Sequence, residues 1–234
     1  DLLDSHPDIA MSDEFFLYKT PSLVSFFEEA EEVSSPLLSE GERRERKGQM
    51  MKMLWFYAGR AGRLEKSRTS RRFGNKTPGA EHYIEFYDRV FEAHPPLYVY
   101  VLRKGEDTFL SVRNTEWGKN AHINGLVNRY LDSIKRIESF ISENPGRCFV
   151  LQLDRMPHDA EGRRDGVSRL MEFLDEEILD PMVPFITAWK SVHSTRTLRR
   201  DNPDAIIDSL SEDDLRFLEN NSGYQEVLQR YGYN

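Results

Sequence analysis

The chain has a single cysteine, Cys148, in 234 residues, which excludes an internal disulfide and any cysteine-built zinc site. It sits in "CFVLQL", where a buried thiol in a reducing, cytoplasmic setting is the ordinary reading. No apolar stretch approaches the roughly 20 residues needed to span a bilayer. Positive charge is also in deficit: 32 Lys and Arg against 40 Asp and Glu leave a formal net charge of −8. A general nucleic-acid binder needs the opposite balance to neutralise backbone phosphates, so nucleic acid is not an expected partner and any anion site must be local. Six histidines occur without the spacing of a metal site, and no metal is expected. There is no internal repeat and no low-complexity linker. What is present is ordinary for a globular protein, 38% hydrophobic and 31% charged residues, and long enough for one domain with a real core over 1–234.

Two apolar runs mark the fold class. "LYVYVL" (97–102) and "RCFVLQLD" (147–154) are rich in β-preferring residues at every position, as expected of strands covered on both faces of a parallel sheet. Between them the spacing predicts a helix from about Glu106 to Arg113. A longer one follows over about Gly125 to Glu143, with Leu126, Tyr130, Ile134, Ile137 and Ile141 as its stripe. Further helices are expected over 21–33, Ala80–Phe91, Gly166–Glu176, Pro203–Ser209 and Glu212–Asn220. Strand, helix, strand, helix is the α/β pattern, because parallel strands need crossovers. The expected architecture is a central, mostly parallel sheet flanked by helices. Residues 43–72 interrupt it with eleven Lys or Arg against Glu45 and Glu65, wrapped around "MMKMLWFYAG". This basic and apolar insertion reads as a lid, a surface for an acidic glycan, or the wall of a pocket for an apolar alcohol.

The candidate chemistry lies after the first of these strands, in "RKGEDTFLS" (103–111). In open α/β sheets, ligands bind beyond the carboxyl ends of the strands, where loop amides and helix N-termini converge. Arg103 stands at such an end and can hold a phosphate with two hydrogen bonds, Gly105 lets the backbone approach, and Ser111 can donate a third bond. The competing reading pairs Arg103 with Glu106 or Asp107 and leaves Ser111 merely exposed. "GNKTP" sets Lys76 before a proline turn, with Thr77 able to cap the helix that follows. "SHPDIAMSDEFF" sets Glu14 on a loop beside two aromatics that could desolvate it and raise it toward the range of a general base. The competing reading of Glu14 is an exposed loop glutamate.

Together these segments resemble the sulfotransferase superfamily that uses 3′-phosphoadenosine 5′-phosphosulfate, in particular its bacterial and carbohydrate-type branch. "LLDSHPDIAMSDE" is similar to the segment after that family's 5′-phosphosulfate loop, "FGNKTP" to its lysine–serine/threonine–proline turn, and "VYVLRKGEDTFLS" to its 3′-phosphate-binding strand, loop and helix. "RFLENNSGYQEVLQRYGY" resembles a common ending of the family. The resemblance spans most of the chain in the expected order and implies a P-loop nucleotide-kinase-like fold whose phosphosulfate loop would precede Leu2. It implies that Arg103 and Ser111 hold the 3′-phosphate, that Glu14 takes the proton from an acceptor hydroxyl, and that Lys76 stabilises charge near the sulfate. Arg199 and Arg200 of "TRTLRR" would cover the nucleotide. The implied acceptor is a carbohydrate or small-molecule hydroxyl, and the nucleotide product is 3′-phosphoadenosine 5′-phosphate. Where the family has an aspartate and a proline after the strand-end arginine, this chain has Lys104 and Gly105.

Three alternatives stand beside this reading. One is a catalytically inactive homologue that only holds the nucleotide. Another is a nucleotide kinase, for which Asp154 would be the tempting magnesium ligand. The third keeps the transferase but uses His82 or His122 as base.

Overall fold

The computed structural model describes residues 2–12, 20–34, 37–57, 61–156, 159–187 and 209–233. Along the chain run β1 (Ile9–Ser12), α1 (Thr20–Ser34), α2 (Glu40–Tyr57), α3 (Ala61–Thr69), β2 (Arg72–Asn75) and α4 (Ile84–Val90). They are followed by β3 (Tyr98–Leu102), α5 (Gly105–Arg113), α6 (Ile123–Glu143), β4 (Cys148–Gln152) and α7 (Ala160–Phe173), then by α8 (Val183–Thr187), α9 (Glu212–Asn220) and α10 (Ser222–Tyr231). The architecture is mixed α/β with parallel strands, as the sequence predicts. Among the described residues, however, the strands form two separate two-stranded sheets, β1 with β2 and β3 with β4, where one central sheet is expected. The chain divides into two compact units, one built from residues 1–98 and 158–188 and the other from 99–157 and 189–234.

In the first unit β1 and β2 run parallel, with Ile9 opposite Arg72 and Ser12 opposite Asn75. Asn75 Nδ2 donates to Ser12 Oγ at 2.7 Å and closes the carboxyl end of the pair. The segment around "DIAMS" is therefore a short buried strand, not the loop its polar neighbours suggest; Ala10 is fully buried. Before it, Leu3–Ser5 is a 3-10 turn. The basic segment is helical. α2 starts at a reciprocal cap in which Ser39 N donates to Glu42 Oε2 at 2.9 Å and Glu42 N to Ser39 Oγ at 3.3 Å. Its apolar face enters the core: Met51 and Phe56 are buried, and the Trp55 ring lies 5.2–6.2 Å from those of Phe73, Tyr87 and Phe91. Met51 and Phe56 of "MMKMLWFY" are therefore core residues and do not face an open pocket. Met53 alone of the three methionines in that run stands out, 68% exposed.

α7 begins six residues earlier than its apolar spacing predicts, because Asp159 Oδ1 accepts from Gly162 N at 2.8 Å and caps a polar first turn. It ends at Phe173, before the expected Glu176, and Asp175 turns the chain with a φ of 53°. The turn frees Glu176 to receive Arg71 Nη2 at 2.8 Å and Arg72 Nε at 2.7 Å. Burial works against the Glu176 charge, but the two arginines prevail and hold its carboxyl below the usual range.

In the second unit α6 buries Leu126, Tyr130, Ile134 and Ile137, as its stripe predicts, and Val127 beside them, while Ile141 is only half-buried. The same core takes Leu102 from β3, Phe109 from α5, Leu218 from α9, and Tyr224, Val227 and Leu228 from α10. α9 opens on a capping box between Ser211 and Asp214. α10 ends at Gly232, whose φ of 68° is the left-handed conformation that glycine adopts without strain. Burial pushes the Cys148 thiol on β4 up to about 11, as for an inert packed cysteine. No helix among the described residues is long and apolar enough to cross a membrane.

Candidate functional site

β3 ends at Leu102, which is buried, and hands the chain to Arg103 and Lys104, both half-buried. Lys104 is the N-cap of α5 and offers no side-chain cap, so the first amides of that helix are left to other partners. One partner comes from the end of β4, where Leu153–Arg155 forms a 3-10 turn that brings Asp154 alongside. Asp154 Oδ2 accepts from Lys104 N at 2.5 Å, and Oδ1 faces Arg103 Nε at 3.4 Å. Asp107, one turn into α5, lies 3.7 Å from Arg103 Nη2. Lys104 Nζ pairs with Glu106 at 2.5 Å. Tyr130 on α6 donates its hydroxyl to the Arg103 carbonyl at 2.9 Å and fixes the backbone of the turn from below. Burial holds that phenol's proton on, well above its ordinary value.

The strand, the arginine at its end and the helix thus stand as the sequence predicts, while the contacts of Arg103 favour the competing reading in part. Of its two anticipated partners Asp107 is present, Glu106 goes to Lys104, and Asp154 is added. From the sequence Asp154 is legible only as a possible metal ligand. Its role here depends on β4 lying beside β3, which no local spacing reveals. Among the described residues no three His, Cys, Asp or Glu side chains converge on a metal site. Ser111 lies in the second half of α5, half-buried.

Gly105 has a different task from the one its position suggests. A Cβ there would meet Tyr224 Cε2 at 2.5 Å, the Tyr224 oxygen at 2.7 Å and Phe109 Cζ at 3.0 Å. Tyr224 is fully buried and has nowhere to retreat, so the glycine serves packing between α5 and α10. Gly105→Ala is expected to cost about 1–3 kcal/mol in urea unfolding, more than the gain of up to about 1 kcal/mol from alanine in a helix. Unchanged stability would show that the ring can give way.

Lys76 is exposed, after β2. It belongs to the first unit, whereas Arg103 and Ser111 belong to the second. The Thr77 hydroxyl bonds to Asn75 Oδ1, and the 3-10 turn Ala80–Tyr83 that follows has Gly79 as N-cap and no side-chain cap, so Thr77 is not the cap expected of it. Glu14, Arg199 and Arg200 lie outside the described residues, as do residues 203–208 of the helix expected over Pro203–Ser209. Of the alternative bases, His82 faces Glu81 at 3.7 Å and His122 is the N-cap residue of α6.

No family model matches the sequence, and a search of curated proteins returns no significant match.

Proposed function

We propose that the protein is a sulfotransferase that moves a sulfuryl group from 3′-phosphoadenosine 5′-phosphosulfate to a hydroxyl of a carbohydrate or small-molecule acceptor. The observation that carries the reading is the junction of β3 and α5. A strand-end arginine directly precedes a helix whose N-cap contributes no side-chain bond, and Ser111 lies farther along the same helix. A phosphate fits there on the guanidinium and on backbone N–H groups at a helix start.

In this reading Arg103 and Ser111 bind the 3′-phosphate, and that remote binding energy helps to hold the donor for in-line attack. The acceptor oxygen bonds to sulfur as the bond from sulfur to the bridging phosphate oxygen breaks. Glu14 takes the acceptor proton, Lys76 offsets charge near the transferred group, and Arg199 and Arg200 cover the nucleotide. The leaving group is 3′-phosphoadenosine 5′-phosphate.

Two measurements on the full-length protein test this. Calorimetric titration should show tighter binding of adenosine 3′,5′-bisphosphate than of adenosine 5′-monophosphate; equal affinities would remove the 3′-phosphate assignment. Mass spectrometry of a library of hydroxyl compounds, incubated with protein and sulfate donor, should reveal a product heavier by one sulfuryl group. Nucleotide binding with no such product would support the holding homologue over the transferase.

A further inference from the structure

Arg103 does not wait with open donors. Its guanidinium faces two carboxylates, Asp154 at 3.4 Å and Asp107 at 3.7 Å. Neither contact is the two-pronged 2.7–2.9 Å fork of a locked arginine–carboxylate pair. The close bond of Asp154 is instead to the backbone, 2.5 Å from Lys104 N. One carboxylate thus touches both groups that a phosphate would use, the arginine loosely and the amide tightly. The Arg103 and Asp154 side chains are 24% and 25% exposed, so a solute can reach both.

From this geometry we infer that Asp154 is a built-in competitor for the anion site, a carboxylate that occupies the phosphate position on Arg103 and Lys104 N and must leave before a ligand phosphate binds. The inference rests on the reading of Arg103 as an anion-binding residue given above. Like charges at this spacing oppose each other strongly, so a phosphate dianion and the Asp154 carboxylate cannot share the two donors. The device makes the site selective: a weakly charged solute cannot evict Asp154, whereas a phosphomonoester dianion can.

The test is titration of the full-length protein and its variants with adenosine 3′,5′-bisphosphate and, separately, with inorganic pyrophosphate as a probe of the anion site alone. Asp154→Asn keeps an acceptor for Lys104 N and removes the charge, and is expected to tighten binding of both probes about tenfold. Asp107→Asn, at a more exposed and more distant carboxylate, should tighten it less. If Asp154→Asn folds with a normal thermal transition and binds either probe no more tightly than the unsubstituted protein, Asp154 positions Arg103 and the inference falls while the nucleotide reading stands. If Asp154→Asn tightens pyrophosphate but no form prefers the 3′-phosphorylated nucleotide, the inference stands and the nucleotide reading falls. Should no form bind either probe, both are overturned.

Discussion

Asp214→Ala is expected to destabilise the protein by about 3–5 kcal/mol, the cost of leaving one member of a buried ion pair behind. Asp214 and Arg113 are among the least exposed charges described, 11% and 15% respectively. Arg113 Nη2 donates to Asp214 Oδ1 at 3.0 Å and Nη1 bonds closely to Oδ2, while Nε donates to the Ala121 carbonyl at 3.2 Å. Asp214 also completes the cap of α9, accepting from Ser211 Oγ at 2.6 Å and from Ser211 N at 3.2 Å. Alanine therefore removes a cap and strands a guanidinium in a place water barely reaches. The same pair predicts an acid transition. The hydrogen bonds of Arg113 first, and those of Ser211 with them, outweigh burial and hold the Asp214 carboxyl at about 2, against an ordinary 3.8. A carboxyl depressed by folding contributes fully above its unfolded value, and its contribution is lost as pH falls from about 4 through 2. That is about 2 kcal/mol at this depth of burial. Urea unfolding of the unsubstituted protein and of Asp214→Asn at pH 5 and pH 2 should show the gap between them narrowing by that amount. A constant gap would mean that the carboxylate does not titrate in the folded state as the geometry requires.

Arg103→Ala should weaken adenosine 3′,5′-bisphosphate by about 2–4 kcal/mol, or roughly thirty- to several-hundredfold, and barely affect adenosine 5′-monophosphate. Two effects add. The guanidinium is lost from the ligand, and Asp154 and Asp107 lose the charge that now stands between them. The incoming phosphate would then face two uncompensated carboxylates. Arg103→Lys should recover only part of the loss, because an ammonium cannot offer two parallel donors. Equal weakening of both nucleotides would move Arg103 to the 5′ end of the ligand, and no weakening would leave it a surface ion pair, worth little in either direction.

The parts of this molecule that could be read from the sequence are those whose stability is local. β3 and β4 are unbroken runs of β-preferring residues: the expected 97–102 overhangs the observed strand by one residue at its start, and the run 147–154 overhangs β4 by one residue at its start and two at its end. α6 carries its burial in its own periodicity. β1 and β2 do not: "IAMS" and "RFGN" have four residues each and no alternation, and they are strands because each supplies the other's hydrogen bonds across sixty residues. α2 was obscured in another way, since its charged first half masks an apolar end whose burial depends on α4 and Phe73. At the site, the junction of Arg103 with α5 was legible, because a strand end followed by a glycine and a helical pattern is a local signal. The partnership of Arg103 with Asp154, and of Gly105 with Tyr224, lies between residues about 50 and about 120 positions apart, and only the fold discloses it.

The two units interleave along the chain, and this bears on how the protein is made. A nascent chain that has reached residue 157 has completed neither core. It still lacks Val167, Leu170, Met171, Met182 and Ile186 of the first unit, and Leu210, Leu218, Tyr224, Val227 and Leu228 of the second. The first unit can close only once residue 188 has been made, and the second must wait for α9 and α10, with Phe109, Tyr130 and Ile134 meanwhile uncovered. Closure over such separations is slow, so the newly made protein should depend on chaperones that shield apolar surface until both units close, and shortening it at any of the three boundaries between units should yield aggregate where a free-standing fragment might be sought.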